Sequence, residues 1–109
     1  MVVKILEGAG FVRNKTYRQT SFLRPPRVTY AVYNDSYTRR GSDDMNLITE
    51  HDVTIELYQY EPDPDAEKRI EDQFDLQGIE YEKQERYKIE EEQLYQVIYE
   101  FSYISKGGN

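Results

Sequence analysis

Residues 52–74, DVTIELYQYEPDPDAEKRIEDQF, contain the signals of a strand, a turn and a helix in immediate succession. The first part alternates apolar and polar residues, which is the period of a strand that buries one face. The last part has an apolar residue every four positions, which places these residues along one side of a helix. This order predicts a sheet with a helix packed on one face. The apolar positions are Val53, Ile55 and Leu57 in the strand and Ala66, Ile70 and Phe74 in the helix.

The ends of this helix are marked by specific residues. Asp63 is a favourable N-cap because its carboxylate accepts a hydrogen bond from a free backbone N–H, and Pro64 suits the first helical position. Asp65 and Glu67 in the first turn complement the positive end of the helix dipole. Gly78 is the expected left-handed C-cap. The sequence therefore predicts a helix from Pro64 to the residue before Gly78.

The rest of the chain predicts a second helix and three more strands. Residues 1–10 fit a short helix, and residues 28–35, 79–87 and 94–104 fit strands. We expect an α+β fold of two layers, with a mostly antiparallel four-stranded sheet, helices on one face and the order α-β-β-α-β-β. The last strand presents its aromatic face to the core through Tyr95, Val97, Tyr99, Phe101 and Tyr103.

The length of 109 residues corresponds to a single domain, residues 1–109. Residues 1–27 are expected to form the short helix and an extended basic segment, because Pro25 and Pro26 favour an extended chain. Residues 34–50 lack a period and are predicted to be a long loop, and residues 105–109 a disordered tail. The basic segment contains Arg13, Lys15, Arg18, Arg24 and Arg27.

Composition argues against several classes of function. The net charge of −7 is unfavourable for a general nucleic-acid binder, which needs a basic face to displace counterions from phosphates. There is no cysteine, and therefore no disulfide framework or thiolate metal site. No run approaches the roughly 20 apolar residues that span a membrane. We expect a soluble protein, intracellular when made, with no membrane association.

The residues with chemical potential do not form a recognisable active site. His51 is the only histidine, and no cysteine or G-x-S-x-G motif supplies a nucleophile. The consecutive carboxylates of Glu90, Glu91 and Glu92 diverge, which fits a solvated turn better than a metal site. GAGFVRN has too few glycines for a nucleotide fingerprint. We therefore predict a protein that is not an enzyme, with no catalytic residue, cofactor or metal ion.

The residues alone leave two hypotheses open. Eleven tyrosines and two sheet edges suit a structural protein that assembles with copies of itself. The alternative is a monomeric α+β binding module that recognises single-stranded nucleic acid or protein through its tyrosine-rich face. In the basic segment, Tyr17 and Phe22 interleave with cations, as in stacking platforms for single strands.

An ordered set of motifs resembles the small neck proteins of long-tailed phages and prophages of Gram-positive bacteria. These are described as tail terminator, tail completion or head–tail joining proteins. The motifs are V-x-I-E-L-Y at residues 53–58, D-P-x-x-E at 63–67, G-I-x-Y at 78–81 and L-Y-Q-V-I-Y-E at 94–100. The resemblance covers about residues 28–103, and ILEGAG and FLRPPRVTYAVY fit the family's opening helix and first strand.

The resemblance implies a structural role in the virion, at the neck or tail end, after assembly in the host cytoplasm. Such proteins typically form a ring of six that terminates the tail tube or joins it to the head. The implied partners are further copies of the chain, a tail-tube protein and a head-connector protein, and DNA passes through the lumen without specific binding. The expected subunit or partner contacts are Tyr37, Arg39, Arg40, Asp43 and Asp44 in the long loop, together with Arg24 and Arg27.

Overall fold

A computed structural model describes residues 1–42 and 45–106 as two helices packed on one face of an open, mostly antiparallel sheet of six strands. The α+β class is therefore confirmed. Along the chain, α1 spans Val2–Gly8, β1 Tyr17–Gln19, β2 Tyr30–Ser42, β3 Met45–Gln59, α2 Pro64–Gln77, β4 Glu82–Lys83, β5 Tyr87–Ile89 and β6 Leu94–Lys106.

The strands follow the order β1-β2-β3-β6-β4, and β5 also pairs with β6. Among the strands of the described residues, only β1 and β2 pair in parallel. The sheet thus differs from the four strands expected. The extra strand β1 lies in the predicted extended segment and is limited to three residues, with Thr20 after it at a left-handed φ of 71°. The predicted strand at residues 79–87 is divided into β4 and β5 by a polar stretch that has no apolar alternation.

The prediction of a loop is wrong for residues 34–42 and 45–50, whereas Asp43 and Asp44 lie outside the described residues. Strands β2 and β3 run through this region, and their pairs continue without interruption from Asn34–Thr54 to Arg40–Ile48. Both strands are largely polar here, and no helix among the described residues covers them. The alternation of apolar and polar residues that identifies a half-buried strand is therefore missing from the sequence. The predicted tail at 105–109 is also partly ordered, since β6 includes Ser105 and Lys106; residues 107–109 lie outside the described residues.

The core lies between the two helices and the central strands β3 and β6. The predicted stripe of α2 is fully buried, and Phe74 stacks on Tyr81 at 4.4 Å between ring centroids. Helix α1 packs against α2 and closes one end of the same layer. The buried cluster contains Val2, Ile5, Leu6, Ala9, Phe11, Tyr17, Ala31, Val53, Ile55, Leu57, Ala66, Ile70, Phe74, Val97, Tyr99 and Phe101.

Both predicted ends of α2 are confirmed. The Asp63 carboxylate accepts a hydrogen bond from the backbone N–H of Ala66 at 3.1 Å, and it accepts a second from the Thr29 hydroxyl at 2.6 Å. Gly78 ends the helix with φ at 66°, a conformation that glycine adopts without a steric cost. The N-cap therefore also connects α2 to the chain that enters β2.

Removal of this cap should destabilise the protein. We expect Asp63→Ala to lower the free energy of unfolding by about 1–2 kcal/mol, since a free helix N–H and the Thr29 hydroxyl both lose their acceptor. Asp63→Asn is the matched control because it retains a capping oxygen, and it should lose less than half as much. Urea denaturation of the three proteins measures the difference, and equal losses for both variants would contradict the capping role.

Candidate subunit interface

Three strands extend well beyond the helical layer. The buried cluster ends at the Val53–Phe101 pair, and the next five β3–β6 pairs continue to Ile48–Lys106, a further length of about 17 Å. The molecule measures 51 × 29 × 23 Å, and its radius of gyration of 15.3 Å exceeds the roughly 13 Å typical of this chain length. We call this extension the arm and define it as residues 34–40, 48–52 and 102–106.

His51 connects the three strands of the arm on the side that continues the helix-covered face. Its ring lies parallel to that of Tyr103, with centroids 4.3 Å apart. Its Nδ1 is 2.9 Å from a carboxylate oxygen of Asp35 on β2, and its Nε2 is 3.2 Å from the Ser105 hydroxyl on β6. The ring of Tyr37 lies 5.8 Å from the imidazole. These contacts hold the three strands of the arm together and give His51 a structural role.

The outer part of the arm exposes aromatic, apolar and charged side chains together. Tyr37 and Ile104 are 54% and 57% exposed. Arg40 and Glu50 form a salt bridge at 2.6 Å on the surface, and Arg39 lies 5.4 Å from the centre of the Tyr37 ring. Surface pairs of this kind contribute only about 0–1 kcal/mol. The side chains are thus held weakly enough to exchange partners when another surface approaches.

The structure brings part of the predicted contact set together. Tyr37, Arg39 and Arg40 all lie on β2 in the arm, although on a strand and not on the loop expected. Asp43 and Asp44 lie outside the described residues. The three described residues project on both faces of the sheet, because side chains alternate along a strand.

Arg24 and Arg27 are not part of the arm. They are exposed on the segment before β2, where the carbonyl of Pro26 accepts a hydrogen bond from the Tyr60 hydroxyl at 2.7 Å. Tyr60 follows the end of β3 that is farthest from the arm. The predicted contact residues therefore lie at two opposite ends of the sheet.

A buried carboxylate beneath α2 was not identified from the sequence. Glu67 is only 5% exposed and accepts hydrogen bonds from Gln59 at 2.9 Å, Lys83 at 2.9 Å and Arg86 at 2.8 Å. Burial raises its pKa, but these three donors outweigh burial and hold the pKa below its ordinary value. The spacing of Glu67 with Ile70 and Phe74, at i, i+3 and i+7, is the signal that places it on the buried side of the helix.

This cluster continues into the core through a second carboxylate. Glu71 accepts a hydrogen bond from the Tyr99 hydroxyl at 2.7 Å and pairs with Lys83 at 2.7 Å. Burial, with the carboxylate beside it, raises the pKa of Tyr99 strongly. The cluster ties β4, through Lys83, and Arg86, the residue before β5, to α2. Its charged groups are satisfied by one another.

The tyrosines are distributed over both faces of the sheet. Tyr99 and Phe101 are buried under the helices, so most of the tyrosine face named in the alternative hypothesis is covered. On the opposite face, Tyr30 stacks on Tyr58 at 5.1 Å and contacts the edge of the Phe22 ring at 5.5 Å. Burial raises the pKa of Tyr30 to about 12. Much of the tyrosine content therefore serves packing on a sheet whose second face is not covered by either helix of the described part of the chain.

Comparisons with known proteins do not assign the chain to a family. No protein-family model matches it, and no curated protein matches it. Within residues 1–42 and 45–106, no three histidine or acidic side chains gather in a way that could hold a metal ion. In the same part of the chain, neither helix is long and apolar enough to cross a membrane. The arm and the charges around the sheet are the features from which a function can be argued.

Proposed function

We propose that the protein is a structural component of a phage neck, which assembles with copies of itself into a ring that terminates the tail tube or joins it to the head connector. The observation that carries this proposal is the arm. A three-stranded extension beyond the core adds surface without adding a buried core, which a monomer does not need for stability.

The edges of the arm support an assembly role. Strand β1 covers β2 only as far as Tyr33, and β4 covers β6 only as far as Glu100. Beyond these points neither β2 nor β6 has an outer neighbour strand among the described residues. Uncovered strand edges offer unpaired N–H and C=O groups to another chain. The exposed tyrosine and arginines beside them are residue types enriched in protein interfaces.

The size of the arm indicates that the contact between copies also involves the rest of the sheet. Three strands about 4.8 Å apart and about 17 Å long give roughly 240 Å² of flat area on each face. A stable interface usually buries about 800 Å² on each partner. The arm alone is too small, and a ring contact would include side chains at the edges of the main sheet.

In this proposal the other partners are the tail-tube protein and the head-connector protein, and DNA passes through the lumen. The net charge of −7 supports that arrangement because an acidic wall repels phosphates and does not retain the DNA. Assembly takes place in the host cytoplasm, and the finished ring belongs to the virion.

Charge reversal in the arm tests the proposal. We expect Arg39→Glu/Arg40→Glu to prevent ring formation while the monomer stays folded, since both side chains are exposed and the Arg40–Glu50 pair contributes little. Native mass spectrometry over a concentration series, with negative-stain images, should show closed rings for the unmodified chain and monomers for the variant. Circular dichroism melts of the two proteins should agree within about 1 kcal/mol of stability.

The matched control is Lys4→Glu/Lys68→Glu, which changes the net charge equally on the exposed sides of α1 and α2. This control should assemble normally. Normal rings from the arm variant would contradict the role of the arm. A chain that stays monomeric at every concentration, alone and with the tail-tube protein of the same phage, would contradict the ring. Salt-sensitive oligonucleotide binding by that monomer would favour the binding module.

A further inference from the structure

One edge of the sheet is strongly basic. Residues 10–42 contain seven cations and a single acid, Asp35, whose carboxylate is already bound by His51. This part of the chain forms β1, β2 and the segments that flank β1, all on one side of the sheet. We call this side the basic edge. Its cations are all exposed: Arg13, Lys15, Arg18, Arg24, Arg27, Arg39 and Arg40.

The opposite edge is acidic. Residues 80–100 contain seven acids and three cations, and two of these cations, Lys83 and Arg86, are engaged by the buried Glu67. This part of the chain forms β4, β5 and most of β6, at the other side of the sheet. We call this side the acidic edge. Its acids are all exposed: Glu80, Glu82, Glu85, Glu90, Glu91 and Glu100. Glu92 is exposed as well, but it lines a groove beside Phe22 and Tyr30 and is not counted with this edge.

The acidic edge holds a pair of like charges that the monomer does not explain. Glu82 and Glu100 are direct cross-strand partners, an arrangement that is destabilising for two carboxylates. They line a groove together with Asp52 and Glu80. Among the described residues, no cation forms a salt bridge with any of the four. A cation supplied by another molecule would remove this repulsion.

We propose that the basic edge of each copy contacts the acidic edge of the next copy, so that the ring is closed by one repeated head-to-tail contact. This inference rests on the proposed function and identifies the two surfaces that meet. The charge complementarity of the edges selects a second copy of this chain as the occupant, because each copy carries both halves of the contact. A two-fold dimer through either edge would instead bring like charges together, which is unfavourable.

The direction of the strands is compatible with this contact. Strands β2 and β6 each pair antiparallel with β3 and therefore run in the same direction. Successive copies related by rotation about an axis along the strands keep that direction, so β6 of one copy would lie parallel to β2 of the next. The uncovered parts of these two strands, beyond Glu100 and Tyr33, then face each other. Repetition of one heterologous contact closes a ring when the rotation between copies permits it.

A charge exchange tests the contact. The basic-edge variant is Lys15→Glu/Arg18→Glu, and the acidic-edge variant is Glu82→Lys/Glu85→Lys; all four side chains are exposed. Each variant alone should need at least a tenfold higher protein concentration for assembly at ~0.15 M salt, where charges within about 8 Å still interact. An equimolar mixture should form alternating rings with an even number of subunits. A chain that carries all four substitutions should assemble alone, which shows that the variants fold.

Cysteine cross-linking gives an independent readout of the geometry, since the chain has no native cysteine. With a short bismaleimide, Arg18→Cys/Glu82→Cys should give a ladder that ends at the ring size. Either substitution alone should give no dimer. A two-fold contact would instead give dimers from one of the single-cysteine proteins, and that result would overturn the head-to-tail contact.

The outcomes separate this inference from the proposed function. If both edge variants form rings like the unmodified chain, the edge contact is wrong, and the subunits of the ring contact each other through another surface. If the unmodified chain does not assemble at any concentration, alone or with the tail-tube protein of the same phage, both are wrong. If oligonucleotides bind the unmodified chain at ~0.15 M salt and Lys15→Glu/Arg18→Glu abolishes that binding, the basic edge serves nucleic acid and the edge contact is overturned.

Discussion

Replacement of Phe74 by alanine is expected to lower the free energy of unfolding by about 3–5 kcal/mol, the range for a buried phenylalanine. The side chain has no exposed surface and lies where α2 meets β6. Its ring stacks on Tyr81 at 4.4 Å and meets the Phe101 ring edge-on at 5.3 Å. Truncation leaves a cavity, and the surrounding side chains fill it poorly because the sheet that carries them is rigid. Since domains of this size have a total stability of about 5–15 kcal/mol, the variant should lose at least a fifth of its stability.

Leu76→Ala provides the control for this prediction. Leu76 lies on the same helix and is 76% exposed, so its truncation should change stability by no more than about 0.5 kcal/mol. Urea denaturation followed by circular dichroism measures both variants. Similar midpoints for the two would show that α2 does not pack on the sheet through Phe74, and the two-layer fold would then be wrong.

The parts of the fold that the sequence predicts correctly are those with local signals. Helix α2 has an Asp63 cap, a proline at its first position and Gly78 at its end, and each signal acts within a few residues. The buried face of β3 is visible because one side of that strand is covered along Val53, Ile55 and Leu57. Burial imposes a period on the sequence wherever a second layer is present.

The sequence does not predict the strands of the arm, because no second layer within the described part of the chain packs on them. Its strands are stabilised by the backbone ladder and by contacts such as that between His51 and Asp35, which are 16 residues apart. Neither the backbone hydrogen bonds nor such side-chain contacts produce a periodic pattern of apolar residues in the sequence. The short strand β1 has the same origin, since it depends on pairing with Ala31 and its neighbours in β2 and not on its own pattern. Composition and period could not locate these elements.

The candidate contact surface likewise depends on the strand order, which local sequence patterns do not predict. Tyr37, Arg39 and Arg40 are predicted as one set because they are close along the chain, and the structure places all three on β2. Sequence reasoning could not show that Arg18 and Glu82 lie at opposite edges of one sheet, since that depends on the strand order. The separation of charge between the edges is visible only when the basic first part and the acidic later part of the chain are placed on the sheet.

Replacement of Glu67 by glutamine should lower the free energy of unfolding by about 2–3 kcal/mol at pH 7. The change leaves Lys83 and Arg86 without the carboxylate that they share beneath α2. Loss of one partner from a fully buried ion pair costs roughly 3–5 kcal/mol. The expected value is smaller because both cations are 36% exposed and regain part of their hydration. Glu80→Gln, at an exposed position on the acidic edge, should change stability by less than about 0.5 kcal/mol.

The pH dependence distinguishes an ionic role of Glu67 from simple packing. The folded-state pKa of Glu67 lies below its ordinary value of 4.5, so the unfolded chain binds the proton more readily. The stabilisation is therefore present at pH values above 4.5 and is lost as the pH falls through the lower folded-state value. Urea denaturation between pH 3 and pH 7 should show the unmodified chain and Glu67→Gln converging in stability at the acidic end. A constant difference across that range would mean that glutamine destabilises the fold by its shape alone. The charge of Glu67 would then have no part in holding β4 and Arg86 against α2.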